Sequence, residues 1–289
     1  FWTLAIIPDT QGSFYLAQPY FDSQTRWIAD HHVAERIAFV LHEGDIVDSP
    51  WDPDQWASAR ASMGLLDGKL PYVLSVGNHD LGIELDKPRT TFINDYFLDS
   101  EAMKPPILGG LFEPGHMENA YYFLQGGGRT WLVLSREFST RPEVVAWSHA
   151  VLTEHAHLPA MILTHAYLYS DNARYDHVGR ECNFGDDCIN PDPPGANPQC
   201  WNPWCYLGGA DGQMLWDALV SLHSNVLFVF SGHVANAAPH QAGRLSSTRP
   251  DGTVCHQIMA DYQGDELGGS GYLRLVRFWP DGTVRVRTF

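Results

Sequence analysis

Nine polar residues stand at or just past the ends of five apolar runs. They are Asp9 and Gln11 after the run 3–7, Asp45 and Asp48 after 37–41, and Asn78, His79 and Asp80 after 71–75. His165 and His233 follow the runs 160–164 and 226–230. Carboxylate, amide and imidazole together are donors for Mn, Fe, Zn or Mg rather than for soft metals. Taken singly, each residue has a plainer reading. Asp and Asn stabilise turns by themselves, and one histidine after a strand is more often structural than a ligand. Recurrence at five strand ends favours one shared site. A serine nucleophile is not indicated, because no G-x-S-x-G context occurs. Gly126-Gly127-Gly128 lacks phosphate-loop spacing and reads as a hairpin turn.

The positioning elements follow from periodicity. Three short apolar strands, 3–7, 37–41 and 71–75, alternate with helical spacing over 22–36 and 53–66. Asp22 and Ser23 read as caps of the first helix, and Pro53 suits the first turn of the second. Strand, polar loop, helix and strand in series is the signature of an α/β fold with a mostly parallel sheet. In such sheets ligands bind beyond the carboxyl ends of the strands. Further strands are expected over 119–125, 129–135, 160–164, 226–230, 254–260, 272–279 and 284–289. Helices are expected over 141–155 and 213–223. Residues 166–212 have little periodicity and read as a loop or lid insertion within a single domain spanning 1–289.

Pro8-Asp9-Thr10-Gln11, Gly44-Asp45-Ile46-Val47-Asp48, Gly77-Asn78-His79-Asp80, Thr164-His165 and Gly232-His233 resemble, in order, the motif blocks of the calcineurin-like metallophosphoesterases. The resemblance implies a four-layer αββα sandwich of two mixed sheets flanked by helices, here with a disulfide-rich insertion. It also implies hydrolysis of phosphoesters, mono- or diesters, by a metal-activated water. By the same resemblance Asp45 bridges two divalent ions, and Asn78, His165 and His233 complete the second. Asp9 and Gln11 serve the first, with Gln11 where many members carry histidine. His79 is the outer acid for the leaving oxygen, oriented by Asp80, and Asp48 fixes the loop. One departure stands out. The family closes with G-H-x-H, whereas Gly232-His233-Val234-Ala235 lacks the second histidine. The first position is then left with oxygen donors alone, a set for a hard ion, unless His240 or His256 fills in. The resemblance leaves an alternative: a degenerate fold that binds a phosphorylated or glycan ligand without turnover.

Asn119, Tyr167 and Arg174 are candidate substrate contacts, since an arginine among aromatics can read a phosphate and stack on a base or sugar. The competing reading packs the aromatics of the insertion into a small core of their own. The net charge of −16 repels nucleic acid and anionic membranes, and no apolar run reaches the roughly 20 residues of a membrane helix. The expected partner is a small phosphorylated substrate, met by a monomer. Among five cysteines, Cys182–Cys188 and Cys200–Cys205 pair best as local disulfides. The C-x2-C spacing of a zinc knuckle is missing, and Cys255 is left as a buried thiol. Disulfides imply an oxidising compartment, so a secreted or periplasmic location is expected, with a processed or trimmed N-terminus.

Overall fold

The structure is a computed structural model that describes residues 1–16, 19–82, 87–178, 207–234 and 241–289. Chain order begins with β1 (Trp2–Ile7), α1 (Gln11–Tyr15), α2 (Tyr20–Glu35), β2 (Ile37–His42), α3 (Pro53–Gly64), β3 (Tyr72–Leu74) and α4 (Ile93–Phe97). It continues through β4 (Leu108–Glu113), β5 (His116–Gly126), β6 (Arg129–Ser135), α5 (Pro142–Glu154) and β7 (Ala160–Leu163). The remainder is α6 (Gly212–Ala218), β8 (Val226–Ser231), β9 (Gln241–Thr248), β10 (Val254–Asp261), β11 (Arg274–Phe278) and β12 (Val284–Thr288).

Two mixed sheets result. One runs β12-β11-β1-β2-β3 and the other β4-β5-β6-β7-β8-β10-β9. Strand β1 is parallel to β2 and antiparallel to β11, while β6, β7, β8 and β10 are mutually parallel in sequence. Leu4, Ala5, Ile6 and Ile7 are all buried, as a strand covered on both faces requires. Helix α2 buries Phe21, Gln24, Thr25, Ile28 and Ala29, the i, i+3, i+4 stripe of a helix laid on a sheet. It begins at Tyr20 behind Pro19, so Asp22 and Ser23 lie in its first turn rather than at its cap. In α3 the cap is Asp52, whose side chain accepts from the Asp54 amide ahead of Pro53.

The sheets meet through aromatics at the end of the sandwich away from the strand-end motifs. Trp2 stacks on Phe278 at 4.2 Å, and Trp131 and Phe228 close on Phe278 at 5.6 and 5.3 Å. At the other end the sheets are tied by polar bonds. The Ser75 hydroxyl donates to the Arg136 carbonyl, and the Ser135 hydroxyl to the Leu74 carbonyl. This cross-link seats the loop after β3 beside the loop after β6.

The cysteines proposed to pair, Cys182, Cys188, Cys200 and Cys205, lie outside the described residues, as does most of the insertion. Its two ends are not peripheral. Tyr167, Leu168, Tyr169 and Tyr175 are buried in the main core, and Gly212 opens α6. Cys255 is a buried free thiol, and burial pushes its pKa up to about 11. Among the described residues no helix is long and apolar enough to cross a membrane.

One buried histidine gives a pH test away from the motifs. His223 Nε2 faces His149 Nδ1 at 2.9 Å. Burial, then the charges of His149 and Arg249, push His223 down from 6.5 to about 4. The folded state therefore binds fewer protons than the unfolded state between those values, so stability present above 6.5 is lost as pH falls towards 4. With solvent screening the loss is about 1–2 kcal/mol. Denaturant unfolding of the metal-free chain at pH 6.5 and pH 4.5 should show that much less acid sensitivity in His223→Gln. Equal sensitivity in both proteins would remove His223 as the cause.

Candidate metal centre

Each motif loop is pulled into place by another. The amides of Thr10 and Gln11 both donate to the Asp45 carbonyl at 3.1 Å. The His233 amide donates to Asp9 Oδ2 at 2.9 Å, and the His79 amide to Asp45 Oδ1 at 2.9 Å. Glycine precedes three of these residues for a steric reason. A Cβ on Gly77 would lie 2.1 Å from Asp45 Oδ1, one on Gly232 2.6 Å from Asp9 Oδ1, and one on Gly44 2.7 Å from His165 Nδ1. Asp45 and His233 both hold left-handed backbone, with φ of 49° and 76°. Such strain is typical of sites that the surrounding fold over-determines.

Four donor atoms converge. His165 Nε2 lies 3.2 Å from Asn78 Oδ1, 3.2 Å from Asp45 Oδ2 and 3.1 Å from His233 Nδ1. Ligand atoms about 2.0–2.1 Å from a tetrahedral ion stand about 3.3 Å apart, so the spacing fits a cation at the centre. Asp45, His165 and His233 are buried, with ligand atoms within 4.8 Å of one another. His165 Nδ1 donates to the Glu43 carbonyl at 2.9 Å, which leaves the Nε2 lone pair for the centre. Rings close the site: Phe138 lies 5.8 Å from His165 and 5.2 Å from His233, and Tyr175 lies 5.8 Å from His233.

Asp9 and Gln11 stand beside this cluster. Asp9 Oδ1 is 3.4 Å from His165 Nδ1. That oxygen and Gln11 Oε1 are buried and meet no hydrogen-bond donor among the described residues. A buried acceptor left unsatisfied costs about 1–3 kcal/mol, so these two atoms are what an additional cation suits.

The electrostatics match a site built for positive charge. Burial pushes Asp9 well up, and the Asp261 and Asp45 carboxylates add to it. Burial likewise raises Asp261 and Glu43. Asp45 goes the other way. Burial raises it, but the His165, His79 and His233 charges together outweigh that and hold it well below the usual carboxylate range. His165 is raised, since the Asp45 carboxylate overcomes burial.

Two sequence assignments change here. Asp80 does not orient the His79 ring. Its carboxylate accepts from the amides of Ile46, Val47 and Gly77 at 2.8, 3.1 and 2.8 Å, binding the Asp45 loop to the Asn78 loop. Burial and the Asp45 charge raise Asp80 to about 7 against those amide bonds. The ring of His79 is instead anchored by Asp48: Nδ1 donates to the Asp48 carbonyl at 2.9 Å, and the Asp48 carboxylate lies 3.7 Å away.

The candidate substrate contacts divide. Asn119 is buried, accepts from the Glu137 amide at 3.0 Å, and lines a cleft of about 480 Å³ with Arg89, Arg141 and Glu137. Tyr167 is fully buried in the core. Arg174 is bonded to Gln257, Gln213 and Ser247 and lies over the Trp216 ring at 4.0 Å, so it braces α6 against β9 and β10. His256 is not a replacement ligand. It sits in mid-β10 on Ser246, five residues before the strand end, about 16 Å back along the chain. His240 lies outside the described residues.

Residues 3–236 match the family model of the calcineurin-like phosphoesterases. The chain belongs to this family. It is 30% identical over 286 residues, 96% of its length, to the uncharacterized protein YvnB of Bacillus subtilis strain 168, and it spans about a fifth (19%) of that relative. Among solved structures it is similar to TT1561 of Thermus thermophilus, with a TM-score of 0.52, 13% identity and 99% and 97% of the two chains covered. It is also similar to GAP50, the anchor in the inner membrane complex of Plasmodium, with a TM-score of 0.51, 10% identity and coverage of 99% and 84%. At these identities the structural likenesses concern the fold alone.

Proposed function

We propose that this chain is a metal-dependent hydrolase of phosphomonoesters or phosphodiesters. The observation that carries the reading is the convergence of Asp45 Oδ2, Asn78 Oδ1, His165 Nε2 and His233 Nδ1 beside the anchored ring of His79. Those four residues would hold one divalent ion, Mn, Zn, Fe or Mg, and Asp9, Gln11 and Asp45 would serve a second. When bound, such ions neutralise phosphoryl charge and make water acidic enough to attack phosphorus. The chain's own part is positioning and proton transfer. His79 is raised: burial opposes its charge, but the Asp45 carboxylate and the Asp48 carbonyl prevail, which favours the protonated ring. With Nδ1 committed to Asp48, Nε2 is the nitrogen that gives a proton to the departing oxygen. The buried walls of Phe138 and Tyr175 limit bulk water. The cleft lined by Asn119 supports a place for the rest of the substrate, whose volume falls within the range of small-molecule sites.

The test is hydrolysis of aryl phosphate mono- and diesters by chelator-stripped chain, reloaded with Mn²⁺ or Zn²⁺. Turnover is expected only with metal. No turnover with any ion, while one ion stays tightly bound, would favour the ligand-binding alternative. His79→Ala should lower turnover by about 10²–10⁴-fold with metal content unchanged. A variant that loses metal and rate together would make His79 part of the ion's cradle instead.

A further inference from the structure

The first ion position lacks the histidine with which the family pattern closes, since Ala235 stands there. The neighbouring strand supplies an acid at the same rim. Strands β8 and β10 are parallel with Met259 opposite Ser231, so Asp261, the last residue of β10, lies at the same rim as the loop that carries His233. The His233 amide in turn donates to Asp9. The Asp261 side chain comes within hydrogen-bond reach of the Asp9 side chain, and both carboxyls are buried, 0% and 6% exposed.

Two carboxylates in contact away from water need something positive between them. Among the described residues no arginine or lysine pairs with them, and His165, whose Nδ1 lies 3.4 Å from Asp9 Oδ1, spends that nitrogen on the Glu43 carbonyl. Arg274 spends its Nε on the Tyr262 hydroxyl and Nη1 on the Met259 carbonyl. Asp261 is held by Gln263, through the backbone amide on Oδ1 and the side-chain amide on Oδ2, both at 2.9 Å. That fixes the carboxyl and leaves lone pairs for another partner. On the Asp9 side, Oδ1 and Gln11 Oε1 are buried acceptors that no donor among the described residues reaches. These unsatisfied atoms are the independent sign that a cation belongs there.

We propose that Asp261 is the ligand that takes over from the missing histidine, completing a first ion position of Asp9, Gln11, Asp45 and Asp261. The inference rests on the metal-dependent reading above. It makes the centre chemically unequal. One position is all oxygen with three carboxylates, suited to a hard ion such as Mn²⁺ or Mg²⁺, and the other holds two imidazoles.

The experiment counts ions and reads their coupling. Purified chain is equilibrated with excess Mn²⁺, desalted and measured for bound Mn by mass spectrometry and by electron paramagnetic resonance. Wild type is expected to carry two Mn per chain with a spin-coupled signal. Asp261→Asn keeps the shape but removes the charge, and it should carry one Mn with an uncoupled six-line signal. Asp9→Asn should lose the same ion, and the double variant no further ion. One Mn in wild type, or two retained in Asp261→Asn, overturns the proposal. Thermal melts in chelator keep the result readable. Asp261→Asn should melt at or above wild type without metal, because it relieves the crowding of two buried acidic groups. If Asp261→Asn fails to fold, the wild-type count and Asp9→Asn decide. Aryl phosphate hydrolysis by wild type is scored separately. Hydrolysis with two ions in Asp261→Asn sinks the ligand assignment alone, and no hydrolysis with a two-to-one loss sinks the hydrolase reading alone.

Discussion

Asp45→Asn is expected to fold, to lose bound metal, and to lower turnover on the order of 10³-fold or more. The substitution separates charge from shape. Asparagine tolerates the left-handed backbone at φ 49° and still offers an oxygen to the His79 amide, so the loop keeps its form. What disappears is the carboxylate charge of the Asp45, His165 and His233 cluster. Asp45 Oδ2 is 3.2 Å from His165 Nε2, and its charge is felt by Asp9, Asp80 and Asp261. The metal-free melting temperature should move little, because lost attraction to His165 and His79 is offset by relief of those three acids. Metal content by mass spectrometry and the melt in chelator check this together. A variant that keeps its full metal complement would show that Asp45 shapes the loop without binding the ion.

Much of this centre was legible because one rule, polar residues past apolar strands, reads the same in sequence and in space. Asp9, Asp45, Asn78, His165 and His233 end β1, β2, β3, β7 and β8, and the sheets bring those ends together. The rule also reaches Asp261-Tyr262-Gln263 after 254–260, but a sequence carries no sign that β10 lies beside β8. Glu43 and His42 were hidden for a similar reason. His42 looks like strand, yet its ring accepts from the Gly44 amide and bonds Thr10, and burial followed by the His165 charge pushes it down to about 3. The roles of Asp48 and Asp80 were exchanged because adjacency to His79 suggested contact, whereas the turn aims the Asp80 carboxylate at three amides instead. Strands β4 and β9 were missed because their sequences are weak strand signals, with Gly109-Gly110 inside β4 and few apolar residues in β9. Each pairs on one side only, and β9 alternates burial along a polar sequence. Tyr167, Tyr169 and Tyr175 followed neither reading, since they pack in the main core rather than in a separate core of the insertion.

Gly77→Ala should unfold or empty the centre although the position needs no unusual backbone angle. The added Cβ would sit 2.1 Å from Asp45 Oδ1 and 2.4 Å from the Asp45 backbone nitrogen. A flexible side-chain tip could yield, but the Asp45 backbone cannot, since its carbonyl receives the Thr10 and Gln11 amides. The Gly77 amide is itself fixed by Asp80, so neither loop can retreat alone. Overpacking of this kind costs about 3 kcal/mol or more. Gly128→Ala is the control. It has φ of 76° and nothing within 4 Å of the new atom, so only backbone strain of about 1 kcal/mol is added. Denaturant unfolding and Mn²⁺ content of the two variants should therefore separate. Gly128→Ala keeps its metal and nearly all its stability, while Gly77→Ala loses both. Equal, small losses would mean that the Asp45 loop has room to move, and the close approach of motif glycine to motif ligand would not be what holds the donors in register.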